Sequence, residues 1–177
     1  MKKITFLLIM TAAVFILSCK KEKYEAAKAK TVAMAGRWWV ELYQDADING
    51  IPTEDELLYA YADFEGQGIV TSNTAADDAD SVIINDAKES WPFKIKAPIN
   101  LSALTFTPST NLNIHPDYVG SGETVRIIEG KILKAAARSK SGAIADSIFL
   151  EFEFSDDAGT QYIYAGHRDS GFPEDHY

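Results

Sequence analysis

From Gly36 to the C-terminus, hydrophobic and polar positions alternate with a period of two, the repeat of a strand with one buried face. No stretch carries an apolar stripe through three helical turns. Ile148, Leu150, Phe152 and Phe154 fall on one side of such a strand, with Glu151 and Glu153 on the other. Trp91-Pro92-Phe93-Lys94-Ile95-Lys96 likewise sets aromatics and Ile95 against two lysines. The pattern predicts strands at 37–44, 57–65, 69–74, 81–85, 91–96, 102–107, 123–137, 145–155 and 161–167, spans rich in branched and aromatic residues. Turn signals fall at Asn49-Gly50, Glu65-Gly66, 77–80, Glu129-Gly130, Lys140-Ser141-Gly142 and 156–159. About nine short strands joined by hairpins predict an all-β domain, an antiparallel β-barrel of eight or nine strands with a β-sandwich as the alternative.

The chain ahead of that domain reads differently. An uncharged apolar run from Ile4 to Leu17 is too short to cross a bilayer. With Lys2 and Lys3 before it and Ser18 at its end, it reads as a secretory signal peptide. Ile16-Leu17-Ser18-Cys19 resembles the bacterial lipobox, which implies cleavage before Cys19 and diacylglycerol on its sulfur. Residues 1–18 are then a lipoprotein signal, 19–35 a lysine-rich lipidated tether reaching roughly 20–25 Å as a flexible chain, and 36–177 the β-barrel domain. Lys20 after the cysteine agrees with sorting to the outer membrane, so the expected location is the cell envelope, lipid-anchored, on a side that the sequence leaves open.

Composition narrows the chemistry. The net charge of −9 becomes about −11 once Lys2 and Lys3 are removed, and no basic stripe exists to neutralise phosphates, which excludes nucleic acid as a partner. Cys19 is the only cysteine, so neither a disulfide nor a cysteine-built zinc site is possible, and His115, His167 and His176 lack metal-ligand spacing. No cofactor is expected.

Gly36-Arg37-Trp38 opens the first strand and resembles the Gly-x-Trp signature of lipocalins and related calycins. In those proteins the tryptophan plugs the closed end of the barrel and an arginine after the last strand lies across its indole; Gly36, Trp38 and Arg168 are the matching positions. Gly36-Arg37-Trp38-Trp39-Val40, Thr71-Ser72-Asn73-Thr74-Ala75, Asp146-Ser147-Ile148 and the ending from Gly166-His167-Arg168 to Glu174-Asp175 together resemble a family of small Bacteroidetes lipoproteins described as lipid-binding putative hydrolases. The resemblance implies a lipocalin-like domain, an outer-membrane lipoprotein and a lipid-like ligand. It carries no catalytic residues across.

Three groups of residues are candidates for chemistry. His167, Asp169 and Ser170 supply the side chains of a nucleophilic triad, but neighbours in an extended segment point to opposite faces and no Gly-x-Ser-x-Gly elbow exists, so a structural ending is the stronger reading. Asp45, Asp47, Asn49 and Glu56, with Gly50 between them, fit the oxygen-ligand spacing of a calcium loop. A strand precedes Asp45 where an EF-hand needs a helix, and a hairpin turn at Asn49-Gly50 is favoured, with no metal. Trp39, Tyr59, Tyr61, Trp91, Tyr162 and Tyr164 are the aromatics available to line a pocket. The expected function is an envelope lipoprotein whose barrel binds a small apolar ligand without catalysis. The alternatives are an envelope hydrolase or esterase, and an accessory subunit of an outer-membrane complex.

Overall fold

The computed structural model of the chain describes residues 28–52, 55–63, 68–86 and 90–177. The signal peptide, Cys19, the first part of the tether and the Glu65-Gly66 turn lie outside them. Among the described residues, ten antiparallel strands form one sheet: β1 (Gly36–Asp45), β2 (Glu56–Tyr59), β3 (Ile69–Asn73), β4 (Ser81–Asn85), β5 (Lys94–Asn100), β6 (Thr105–Phe106), β7 (Ser109–Leu112), β8 (Thr124–Arg138), β9 (Ile144–Phe154) and β10 (Gln161–Arg168). β10 returns to pair with β1 from Trp38↔Arg168 to Asp45↔Gln161, which closes β1, β3, β4, β5, β6, β8, β9 and β10 into a ring. β2 sits beside β1 and β7 beside β8 as extra strands. The fold is therefore the antiparallel barrel, not the sandwich.

Period-two alternation does what it promises on β9, where Ile148, Leu150, Phe152 and Phe154 are buried inside the barrel. Phe93 and Ile95 turn inward while Lys96 stays out, although β5 begins only at Lys94, after Pro92. The span expected at 57–65 is shorter than its alternation suggested, ending at Tyr59 and giving way to a 3-10 turn over Tyr61–Asp63. β7 was not foreseen because Ser-Thr-Asn-Leu carries no apolar face; it exists through its pairing with β8. Glu129-Gly130 is no turn. Gly130 lies within β8, where a Cβ would stand 2.7 Å from Phe106 Cδ2, so the glycine makes room for a core ring.

Both ends of the barrel are shaped by segments outside the ring. At one end Trp38 is fully buried, its Nε1 donates to Thr71 Oγ1 at 2.8 Å, and that hydroxyl donates to the carbonyl of Met34 at 2.6 Å. The Arg168 guanidinium lies over the indole, 4.9 Å from its centroid, and a Cβ on Gly36 would sit 3.3 Å from Arg168 Cζ. Residues 30–34, assigned from sequence to the tether, make a turn that buries Thr31 and Met34 against this end. The other end stays partly open. β3 pairs with β1 only from Gly36 to Trp38, and β2 takes over from Leu42, so the wall beyond this changeover is built by β2 and by the chain entering β5.

One stretch of the outer face is covered by a second layer. Trp39 and His167, opposite each other on β1 and β10, are buried at 1% and 2% exposure. The C-terminus folds over them: Tyr177 packs on Trp39 with ring centroids 5.4 Å apart and stacks on Tyr61 at 4.5 Å.

Candidate functional site

A pocket of about 110 Å³ opens at the less tightly closed end. Leu42 of β1, Phe152 and Phe154 of β9, and Tyr162 and Tyr164 of β10 supply the barrel side. Leu58 and Tyr59 of β2 and Ser90 and Trp91 ahead of β5 supply the other. Trp91 stacks on Phe154 with centroids 5.1 Å apart. Apolar rings thus make most of the wall, and one polar cluster lies beside it.

That cluster is centred on Asp86, which follows β4 and is fully buried. Its Oδ2 accepts from the backbone of Trp91 at 2.8 Å and of Ser90 at 3.2 Å, and from Ser90 Oγ at 3.4 Å; its Oδ1 accepts from Tyr164 OH at 3.1 Å. Ser90 and Tyr164 also share a hydroxyl–hydroxyl hydrogen bond. Burial pushes the Asp86 carboxyl up to about 7, against the opposing pull of its donors. Burial and the neighbouring Asp86 hold the Tyr164 phenol well above its ordinary range. At the rim, burial and a hydrogen bond to Asp157 raise the Tyr162 phenol to about 12. The site therefore offers an apolar slot with neutral hydroxyls and a carboxyl that is half-protonated near neutral pH.

Of the six aromatics singled out in the sequence, Tyr59, Trp91, Tyr162 and Tyr164 meet in this pocket. Trp39 and Tyr61 do not; they belong to the outer face under the C-terminal tail. Phe152 and Phe154 were legible as one face of a strand but not as pocket walls, and Leu42 was not singled out. Asp86 and Ser90 gave no local signal, because the contact between Tyr164 and Asp86 spans 78 residues.

His167, Asp169 and Ser170 are not assembled into a triad. The ring nitrogens of His167 lie 3.0 Å from the carbonyl of Arg168 and 3.0 Å from Tyr177 OH. Ser170 Oγ donates to Asp175 Oδ2 at 2.5 Å, and that bond with the Ser141 amide holds the Asp175 carboxyl well below the usual carboxylate range. Asp169 caps the Gly171 amide and pairs with Arg37 at 3.7 Å.

In the loop after β1, Asp45 accepts from the backbone of Asn49 and Gly50, and the Asn49 amide donates to Asp47 at 2.7 Å. Gly50 has φ +69° and Ile48 +58°, and because β1 ends at Asp45 and β2 begins only at Glu56, the reversal at Asn49-Gly50 does not form a two-residue hairpin. Glu56 stands exposed at the start of β2, outside the carboxylate group, which Asp55 joins instead.

The ring of eight strands defines a closed antiparallel β-barrel with an aromatic slot at one end. The family model described as "Lipid-binding putative hydrolase" matches residues 23–173, and the chain belongs to that family. No curated protein matches it.

Proposed function

We propose that the protein is a lipid-anchored envelope lipoprotein whose barrel binds the end of an acyl chain or a similarly slender apolar group. The supporting observation is the slot walled by Leu42, Leu58, Trp91, Phe152 and Phe154 with the Asp86–Tyr164–Ser90 cluster beside it. Its size sets the ligand: about 110 Å³ is below the roughly 300 Å³ of common ligand sites and the ~150 Å³ apolar cavity that takes benzene. A whole lipid does not fit, but a short segment does.

Purified full-chain protein in detergent should bind a fluorescent fatty-acid probe with quenching of tryptophan emission. Leu58→Arg, a change at the exposed rim, should weaken that binding about tenfold, roughly 1.4 kcal/mol. Equal binding by the variant would remove the pocket as the site. The anchor is tested separately: Cys19→Ser removes the sulfur that carries the lipid, so the protein should lose its lipid mass and leave the membrane fraction. Retention of both would sink the lipoprotein reading.

One observation favours a second reading, hydrolysis. Ser90 Oγ hydrogen-bonds both a carboxyl and a phenol beside an apolar slot, a hydroxyl within reach of a base. Turnover of short acyl esters that Ser90→Ala abolishes, with the fold intact, would replace binding by catalysis. Loss through Ser170→Ala is not expected, since that hydroxyl is committed to Asp175.

A further inference from the structure

The outer face of the barrel carries a second acidic feature, remote from the slot in chemistry. Oxygens of Asp45, Asp47 and Asp55, one from each, lie within 4.8 Å of one another. Carboxylates in a loop often do no more than solvate it. Beneath this loop, however, lies Glu151 of β9, only 7% exposed and without a hydrogen-bond donor among the described residues. A Cβ on Gly50 would stand 3.4 Å from Glu151 Oε2, which puts the carboxylate directly under the loop. On the neighbouring strand Gln161, paired in register with Asp45 and so on the same face, has a buried Oε1 with no partner.

Several negative oxygens converge here with no donor aimed at Glu151. A buried carboxylate is costly unless it is paired or coordinates a metal. The donors are all oxygen, the set that hard cations take, with neither sulfur nor imidazole among them. Calcium accepts six to eight oxygens in a flexible shell, whereas magnesium demands a near-ideal octahedron and keeps several of its waters, so an irregular set of loop carboxylates with a strand glutamate suits calcium. We propose that Asp45, Asp47, Asp55 and Glu151, with Gln161 Oε1, form a calcium site that ties the β1–β2 loop to the outer face of β9 and β10. The ion cross-links the loop that leads into β2, the strand bearing Leu58 and Tyr59. The assignment departs from the spacing read in the sequence: Glu56 is replaced by Asp55, and Glu151 comes from about a hundred residues further along the chain.

Full-chain protein in detergent, stripped with a chelator, should melt about 5 °C higher in ~10 mM calcium chloride, the shift expected for the sub-millimolar affinity of extracellular calcium modules. Glu151→Gln should raise the calcium-free midpoint, because a buried unpaired charge is gone, and should abolish the calcium response; a purely structural glutamate would not do both. Asp47→Asn, at an exposed position that leaves the core untouched, should lower calcium affinity about tenfold by calorimetry. An unmoved midpoint, an equal rise with magnesium chloride, or a Glu151→Gln variant that responds like the parent would each overturn the assignment.

Discussion

Trp38→Ala is expected to lower the unfolding free energy by about 3–5 kcal/mol, the range for truncating a large core aromatic. The indole is fully buried, so its removal opens a cavity at the closed end of the barrel. It also deletes the donor to Thr71 and the ring beneath Arg168. A denaturant midpoint with an unchanged slope reads the loss. Arg168→Ala made alone and in combination completes a double-mutant cycle, and a guanidinium stacked on a desolvated ring should give a coupling of about 1–2 kcal/mol. Costs that add within about 0.5 kcal/mol would mean that the arginine spans the indole without stabilising it.

The closed-end contact was legible because its parts lie at recognisable places: a glycine two residues before a tryptophan at the start of the first strand, and an arginine at the end of the last. Strand direction was legible from β9 and β5, where charged residues fall cleanly on the wet side. The alternation failed where a second layer covers the sheet. Trp39 and His167 sit at outward positions of β1 and β10, and only the C-terminal Tyr177 folding back, with the half-buried Tyr61 beside it, buries them. No periodicity encodes that return. The same limit hides the polar centre of the slot: Asp86 ends an apolar strand as a turn residue would, and only the register of β10 brings Tyr164 to it. In the acidic loop, local spacing named Asp45, Asp47, Asn49 and Glu56 together; Asp45 and Asp47 do lie side by side with Asp55, while the strand that starts at Glu56 leaves that side chain exposed and apart from them.

Asp86 carries the last large effect, and its sign follows from where the carboxyl titrates. In the unfolded chain it loses its proton near pH 3.8, whereas burial holds it to about pH 7 in the fold. Between those values the native state keeps a proton that the unfolded state has released, so stability falls as pH rises. The contribution is fully present below about pH 4 and lost by the time pH passes 7, a span of three units, or about 4 kcal/mol. Asp146 and Asp175 are shifted the opposite way and add stability with rising pH, so the wild-type profile alone mixes both trends. Asp86→Asn separates them: it keeps an oxygen to accept from Tyr164 or Trp91 and removes the charge. Its stability relative to wild type should therefore climb by up to about 4 kcal/mol from pH 4 to pH 8, measured by urea unfolding across the range. Above pH 7 the wild-type slot borders a carboxylate, and fatty-acid probe binding should weaken there, while the asparagine variant binds evenly. Parallel stability profiles for the two proteins would show that Asp86 is ionised in the fold throughout and that its donors outweigh its burial.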